Sequence, residues 1–119
     1  MIENIALITA GVCAIVVSLY HGITGDALVK AMAIEPAESK ALMRGSFHIG
    51  TMGWLVGGLV VLLISTLEPS WPRTAILLAY TVLFGIPAVS LVMMEKGRLS
   101  FGLVMLCLTV LGLIIALIL

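Results

Sequence analysis

The stretch GSFHIGTMGWLVGGLVVLLISTL, residues 45–67, decides the fold: 23 consecutive residues carry no charge, and Arg44 and Glu68 bound them. In a helix, about 20 apolar residues cross a hydrocarbon core of roughly 30 Å. Three more uncharged stretches surround it, residues 4–25, 74–94 and 99–119, of 22, 21 and 21 residues. Lipid offers backbone amides no water, so each span has to be helical. The composition agrees, at 62% hydrophobic, 10% charged and a mean hydropathy of +1.30, where a soluble domain is about a quarter charged. The 119 residues therefore read as a single all-α domain, 1–119: an integral membrane four-helix bundle made of two helical hairpins. The first stretch follows Met-Ile-Glu rather than a basic segment and runs straight into Tyr20-His21-Gly22. It reads as a retained span and not as a signal peptide.

Six basic residues balance six acidic ones, and they are scattered, which excludes a nucleic-acid footprint. Lys30, Lys40 and Arg44 lie between the first two spans and Lys96 and Arg98 between the last two; Arg73 is alone on the other side. Basic connections stay in the cytoplasm, so the expected placement is the cell inner (plasma) membrane with the N- and C-termini outside. Trp71, in Pro69-Ser70-Trp71-Pro72, suits an outer interfacial anchor. The polar segment 26–44 reads as two helical extensions, 26–34 and 37–44, broken at Glu35-Pro36 because the residue before proline is pushed out of the α region. The alternative is a short amphipathic helix lying on the membrane surface. Pro87, after Gly85, is expected to kink the third span.

His21 and His48 are the only histidines. If the first two spans fold back about a tip at 34–35, residues equidistant from it face each other. That puts His21 level with His48, and Asp26 beside Arg44 one turn nearer the tip. Ser18 and Thr51 lie three residues from the two histidines on the deeper side. Gly22, Gly25, Gly50 and Gly53 leave room for a flat ligand or a neighbouring helix. Ionisable groups inside a span are costly and point to function. The sharp reading is a bis-histidine site for haem b, with Arg44 and Lys40 receiving the propionates. A copper or zinc ion on His21, His48 and Met52 is its smaller version. The plainer reading, which two isolated histidines favour, is that each ring hydrogen-bonds Ser18, Thr51, backbone or headgroup water. Quinone or lipid-headgroup binding and proton movement complete the possibilities.

The small residues Gly50, Gly53, Gly57 and Gly58 on span two, and Ala10, Ala14 and Ser18 on span one, make faces suited to close helix packing. Trp54 reads as wedged between helices. Met93 and Met94 point about 100° apart and read as packing. Cys13 and Cys107 read as small apolar residues. No Asp or Glu falls within the four stretches, so the carboxylate of a small proton-coupled exporter is missing. No triad, aspartate pair or Cys-x-x-Cys is present either, which argues against conventional enzyme activity. Two functional classes stand: a cofactor-binding membrane protein, or a structural accessory subunit docking to partner spans, as a homo-oligomer or in a membrane complex. A small oligomeric transporter is a third.

Tyr20-His21-Gly22-x-x-Gly25, followed by Arg44-x-x-Phe47-His48-x-x-Thr51-x-x-Trp54, resembles small uncharacterised bacterial inner-membrane proteins of four helices. Those carry a histidine ending the first span and an aromatic-His pair opening the second. The likeness covers residues 17–60, and it departs from the pattern in having Phe47 where Trp precedes the histidine. It implies the four-span fold and the pairing of His21 with His48, and it brings no activity with it.

Overall fold

The computed structural model describes residues 1–119 as four helices and no strand: α1 (Ile2–Ala31), α2 (Ala37–Ile64), α3 (Trp71–Glu95) and α4 (Phe101–Ile118). Each is long and apolar enough to cross a membrane, as the uncharged stretches require. At 1.5 Å per residue, α1 and α2, of 30 and 28 residues, exceed a hydrocarbon core of roughly 30 Å by about ten residues each. The excess is the segment 26–44, which continues the two helices instead of forming a separate surface helix. The first extension stops at Ala31 rather than residue 34. Met32 and Pro36 are extended and frame the connection.

The caps follow local chemistry. The Ser70 hydroxyl accepts from the Arg73 amide at 3.4 Å and the Ser100 hydroxyl from the Leu103 amide at 3.2 Å, each satisfying one orphan donor of a first turn. Pro72 occupies the first turn of α3, where no intrahelical donor is lost. Lys96 and Gly97 take left-handed backbone, at φ 49° and 86°, and turn α3 into α4. Pro87 lies within α3, which continues past it to Glu95.

α1 is the central helix. It packs along α2 on one side and α4 on the other, α3 packs on α4, and α2 and α3 approach each other only sparsely. Lipid is as apolar as leucine, so packing contacts rather than water exclusion must join the helices. Small residues permit them. A Cβ at Gly112 would stand 2.6 Å from the Ala6 carbonyl oxygen and 2.9 Å from Ala10 Cβ, so α4 lies directly on the backbone of α1. A Cβ at Gly58 would lie 2.8 Å from Ile15 Cγ1 and 3.0 Å from the Gly11 carbonyl, which seats α2 as closely. Only 27 of the 119 residues are buried, so the core is a seam, and many large apolar side chains lie exposed on the outside of the bundle. Leu7, Ala10, Ala14, Val17, Val61 and Phe84 lie in that seam. Where α3 nears α2, the Tyr80 and Phe84 rings stand over Gly57.

One end is closed by a buried ion pair that sequence reading did not anticipate. The Arg73 side chain, 6% exposed, contacts the Glu3 carboxylate through its guanidinium at 2.5 Å. Its Nε donates to the Ile64 carbonyl at 3.4 Å. The ends of α1, α2 and α3 meet at this one residue.

Candidate functional site

His21 projects from α1 into the space shared with α2, and its Nδ1 lies 3.0 Å from Thr51 Oγ1. Thr51 Oγ1 is itself 2.8 Å from the Phe47 carbonyl and donates to it. A hydroxyl has one proton, so Thr51 receives the Nδ1–H of His21. This assigns the neutral ring as the Nδ1–H tautomer and leaves the Nε2 lone pair unspent. Phe47 and Trp54 flank the imidazole, with ring centroids at 5.1 and 5.0 Å. Trp54 in turn meets Phe84 at 6.0 Å, and Phe84 meets Tyr80 at 6.3 Å. A file of rings thus runs from α1 through α2 to α3, with Trp54 between helices as expected.

His48 lies elsewhere. Its side chain is 54% exposed, and its Nε2 donates to Asp26 Oδ1 at 3.3 Å. The same carboxylate accepts from Arg44 Nε at 2.8 Å, and Lys30 Nζ approaches its other oxygen at 2.6 Å. The Asp26–Arg44 pair expected from the hairpin is present. Three donors converge on one carboxylate and tie the overhanging ends of α1 and α2. Lys40 Nζ donates to the Lys30 and Met32 carbonyls at 2.8 and 2.9 Å, a cation on the C-terminal end of α1 where the helix dipole favours it.

The expected pairing of His21 with His48 is therefore corrected. Gly22 meets Thr51, and Gly25 meets Phe47, four and three residues further along α2 than a symmetric fold-back places them. The chain rises through the extended Met32–Pro36 connection before α2 begins, so the first turn of α2 stands beyond the end of α1. Rotation separates the rings as well. His21 shares a cavity wall with Val17, Tyr20 and Thr24, whereas His48 borders a hollow with Leu19, Gly22, Ile23, Asp26 and Lys30. At 100° per residue these are different faces of α1.

A haem between α1 and α2 does not fit this arrangement. The helices already touch at Gly22–Thr51, where a Cβ would come within 2.8 Å of the threonine methyl, and again at Gly25–Phe47. No slot for a porphyrin separates the histidines, and Arg44 and Lys40 are engaged by Asp26 and by the end of α1. The copper or zinc set fares no better: Met52 is 56% exposed on the outside of α2. No three His, Cys, Asp or Glu side chains gather anywhere in the chain in a way that could hold a metal ion.

What the fold does assemble is a cavity of about 470 Å³ beside His21, walled by all four helices. Tyr20, His21 and Thr24 come from α1, Trp54 from α2, Pro87, Ser90, Leu91 and Glu95 from α3, and Gly102 and Leu106 from α4, with Ser100 just before it. Sequence reading missed Glu95 and Ser100. Glu95 follows the 74–94 stretch directly, and α3 continues to include it. A carboxylate thus ends α3, one residue beyond the uncharged stretch 74–94. Ser100 Oγ donates to Glu95 Oε1 at 2.7 Å, while Glu95 Oε2 is buried without a partner. Thr24 and Ser90 donate their hydroxyl protons to the Tyr20 and Ile86 carbonyls, at 2.6 and 2.9 Å. His21 and Glu95, both residues of this wall, each keep one unspent acceptor, Nε2 and Oε2.

Comparison with protein families, with curated proteins and with solved structures finds no match. The chain stands, on its own geometry, as a small multi-pass membrane protein of four apolar helices.

Proposed function

We propose that this protein is a membrane-embedded binding protein, without catalytic activity of its own, that holds a small lipophilic molecule in the cavity beside His21. The observation that carries this reading is that cavity, built from all four helices around an imidazole whose Nε2 is unspent. Its volume of about 470 Å³ lies within the range of roughly 300–1,000 Å³ of small-molecule sites, which are mostly apolar with a few placed polar groups. The wall answers that description: Val17, Leu91 and Leu106 give apolar surface, Tyr20 and Trp54 flat rings, and His21 a single acceptor. Five of the six basic residues lie at the two turn ends beside the cavity, which supports placing that end in the cytoplasm.

The experiment is a titration of the protein in lipid nanodiscs with phenylbutanol, a neutral lipophilic donor, reading Trp54 emission in a Trp71→Phe background. Trp71 is exposed at the far end, so its replacement leaves the cavity intact. A saturable response that Ser90→Phe abolishes supports the reading; a response identical to that of empty nanodiscs sinks it. Ser90 is exposed on the cavity wall, so the larger ring fills the space without removing core packing.

A second reading, an accessory subunit or homo-oligomer joined through α2, is favoured by Gly45, Gly50 and Gly53, which have nothing within 4 Å of where a Cβ would stand. Cross-linking at Gly53→Cys separates it: specific chain-to-chain capture is expected only if another helix docks there. A visible spectrum checks the haem alternative. The expected preparation is colourless, and a Soret band lost in both His21→Ala and His48→Ala would show that α1 and α2 part to admit the group.

A further inference from the structure

Resting on the cavity reading above, we infer that the occupant is an amphipathic primary amine, its ammonium group partnering the Glu95 carboxylate. Glu95 Oε2 is the one buried side-chain oxygen or nitrogen in the chain without a hydrogen-bond partner. A buried acceptor left unmade bears its full desolvation cost, and a charged one more. Ser100 serves only Oε1. The cations next to it do not compensate: Lys96 and Arg98 border the adjoining hollow, yet the ion pairs of the chain involve Lys30, Arg44, His48 and Arg73. The missing partner is therefore a donor; Glu95 borders both the cavity and that hollow, and of the two only the cavity has aromatic rings on its wall.

The rest of the wall narrows the class. His21 Nε2, in the tautomer set by Thr51, also accepts and does not donate. An ammonium carries three donors and no acceptor, which suits either atom. A carboxylate or phosphate ligand would instead face two acceptors and be repelled. The Tyr20 and Trp54 rings offer π faces that attract a cation, while Val17, Leu91 and Leu106 receive an apolar tail. Depth agrees too. Glu95 ends α3 beside the Lys96–Arg98 turn, where the head of an amphiphile already lies when its tail is in the bilayer.

The test compares phenylbutylamine with phenylbutanol on the intact chain in zwitterionic nanodiscs, reading Trp54 emission as above and subtracting empty nanodiscs. The amine is expected to bind about tenfold tighter than the alcohol. Glu95→Gln is expected to abolish the preference for the amine over the alcohol, each measured on the variant; Glu95→Asp, which keeps the charge, retains a preference. Equal affinities in the intact protein overturn the proposal, as does a preference that survives in Glu95→Gln. If Glu95→Gln does not fold, the ratio in the intact protein and in Glu95→Asp decides. Alcohol binding without amine preference sinks this inference alone and leaves the cavity reading standing; failure of both ligands sinks the two together.

Discussion

The imidazole of His21 and the hydroxyl of Thr51 are joined at 3.0 Å, and the threonine proton goes on to the Phe47 carbonyl at 2.8 Å. This relay runs in one direction, from α1 into α2, and it decides which nitrogen of His21 carries the proton. Nitrogen-15 spectra of ring-labelled protein are expected to show the Nδ1–H form. Thr51→Val, which removes the acceptor, is expected to mix the tautomers and to cost about 1 kcal/mol. Thr51→Ser keeps the oxygen and should keep the tautomer. An unchanged ring signal in Thr51→Val would contradict the relay.

Close approach at Gly112 makes a second prediction. A methyl there meets the Ala6 carbonyl oxygen at 2.6 Å, and backbone cannot rotate aside as a side chain can. Gly112→Ala is expected to destabilise the bundle by about 1–3 kcal/mol. Gly50→Ala and Gly53→Ala meet nothing within 4 Å and are expected to be neutral or stabilising by up to about 1 kcal/mol, through helix propensity. Thermal unfolding in one detergent, run on all three, compares them.

The Glu3–Arg73 pair yields a third. Removing one partner leaves the other charge buried and unpaired, so Arg73→Gln is expected to cost about 3 kcal/mol. Because the two act together, Glu3→Gln combined with Arg73→Gln should cost clearly less than the separate losses added. Strict additivity in that cycle would show that the pair contributes nothing as a pair.

At the opposite end, Asp26 gathers Lys30, Arg44 and His48. Asp26→Asn is expected to loosen the overhanging hairpin without unfolding the bundle, since the seam of packed helices lies beyond it. Hydrogen exchange should rise across residues 26–44 and stay unchanged around Leu7 and Val61. Added salt should raise exchange in the same segment of the intact protein, because these partly exposed pairs are screened.

The residues that could be read before folding share a property. The absence of charge over about 20 positions is one-dimensional, and the bilayer converts it directly into a helix, so the four spans were legible. Asp26 and Arg44 were legible as partners because the long Arg44 side chain absorbs an axial error of a few residues close to the tip. Small residues on α1 and α2 announced close packing, though not which helix each would meet: Gly112, on a helix given no such face, proved the closest approach to another helix's backbone.

His21 and His48 show what sequence alone did not determine. Axial offset depends on how high the chain climbs through Met32–Pro36 before α2 begins, and facing depends on rotation at 100° per residue; neither is written in the spacing of two histidines. The same holds for Arg73, whose burial needs three helix ends to meet, and for Glu95, whose carboxylate becomes a cavity wall only because α3 keeps its helix to that residue and leans on α4. Composition set what could cross the membrane, since each residue's transfer into lipid is its own property. Tertiary structure chose the neighbours, since a contact is a property of two segments and of the angle between them.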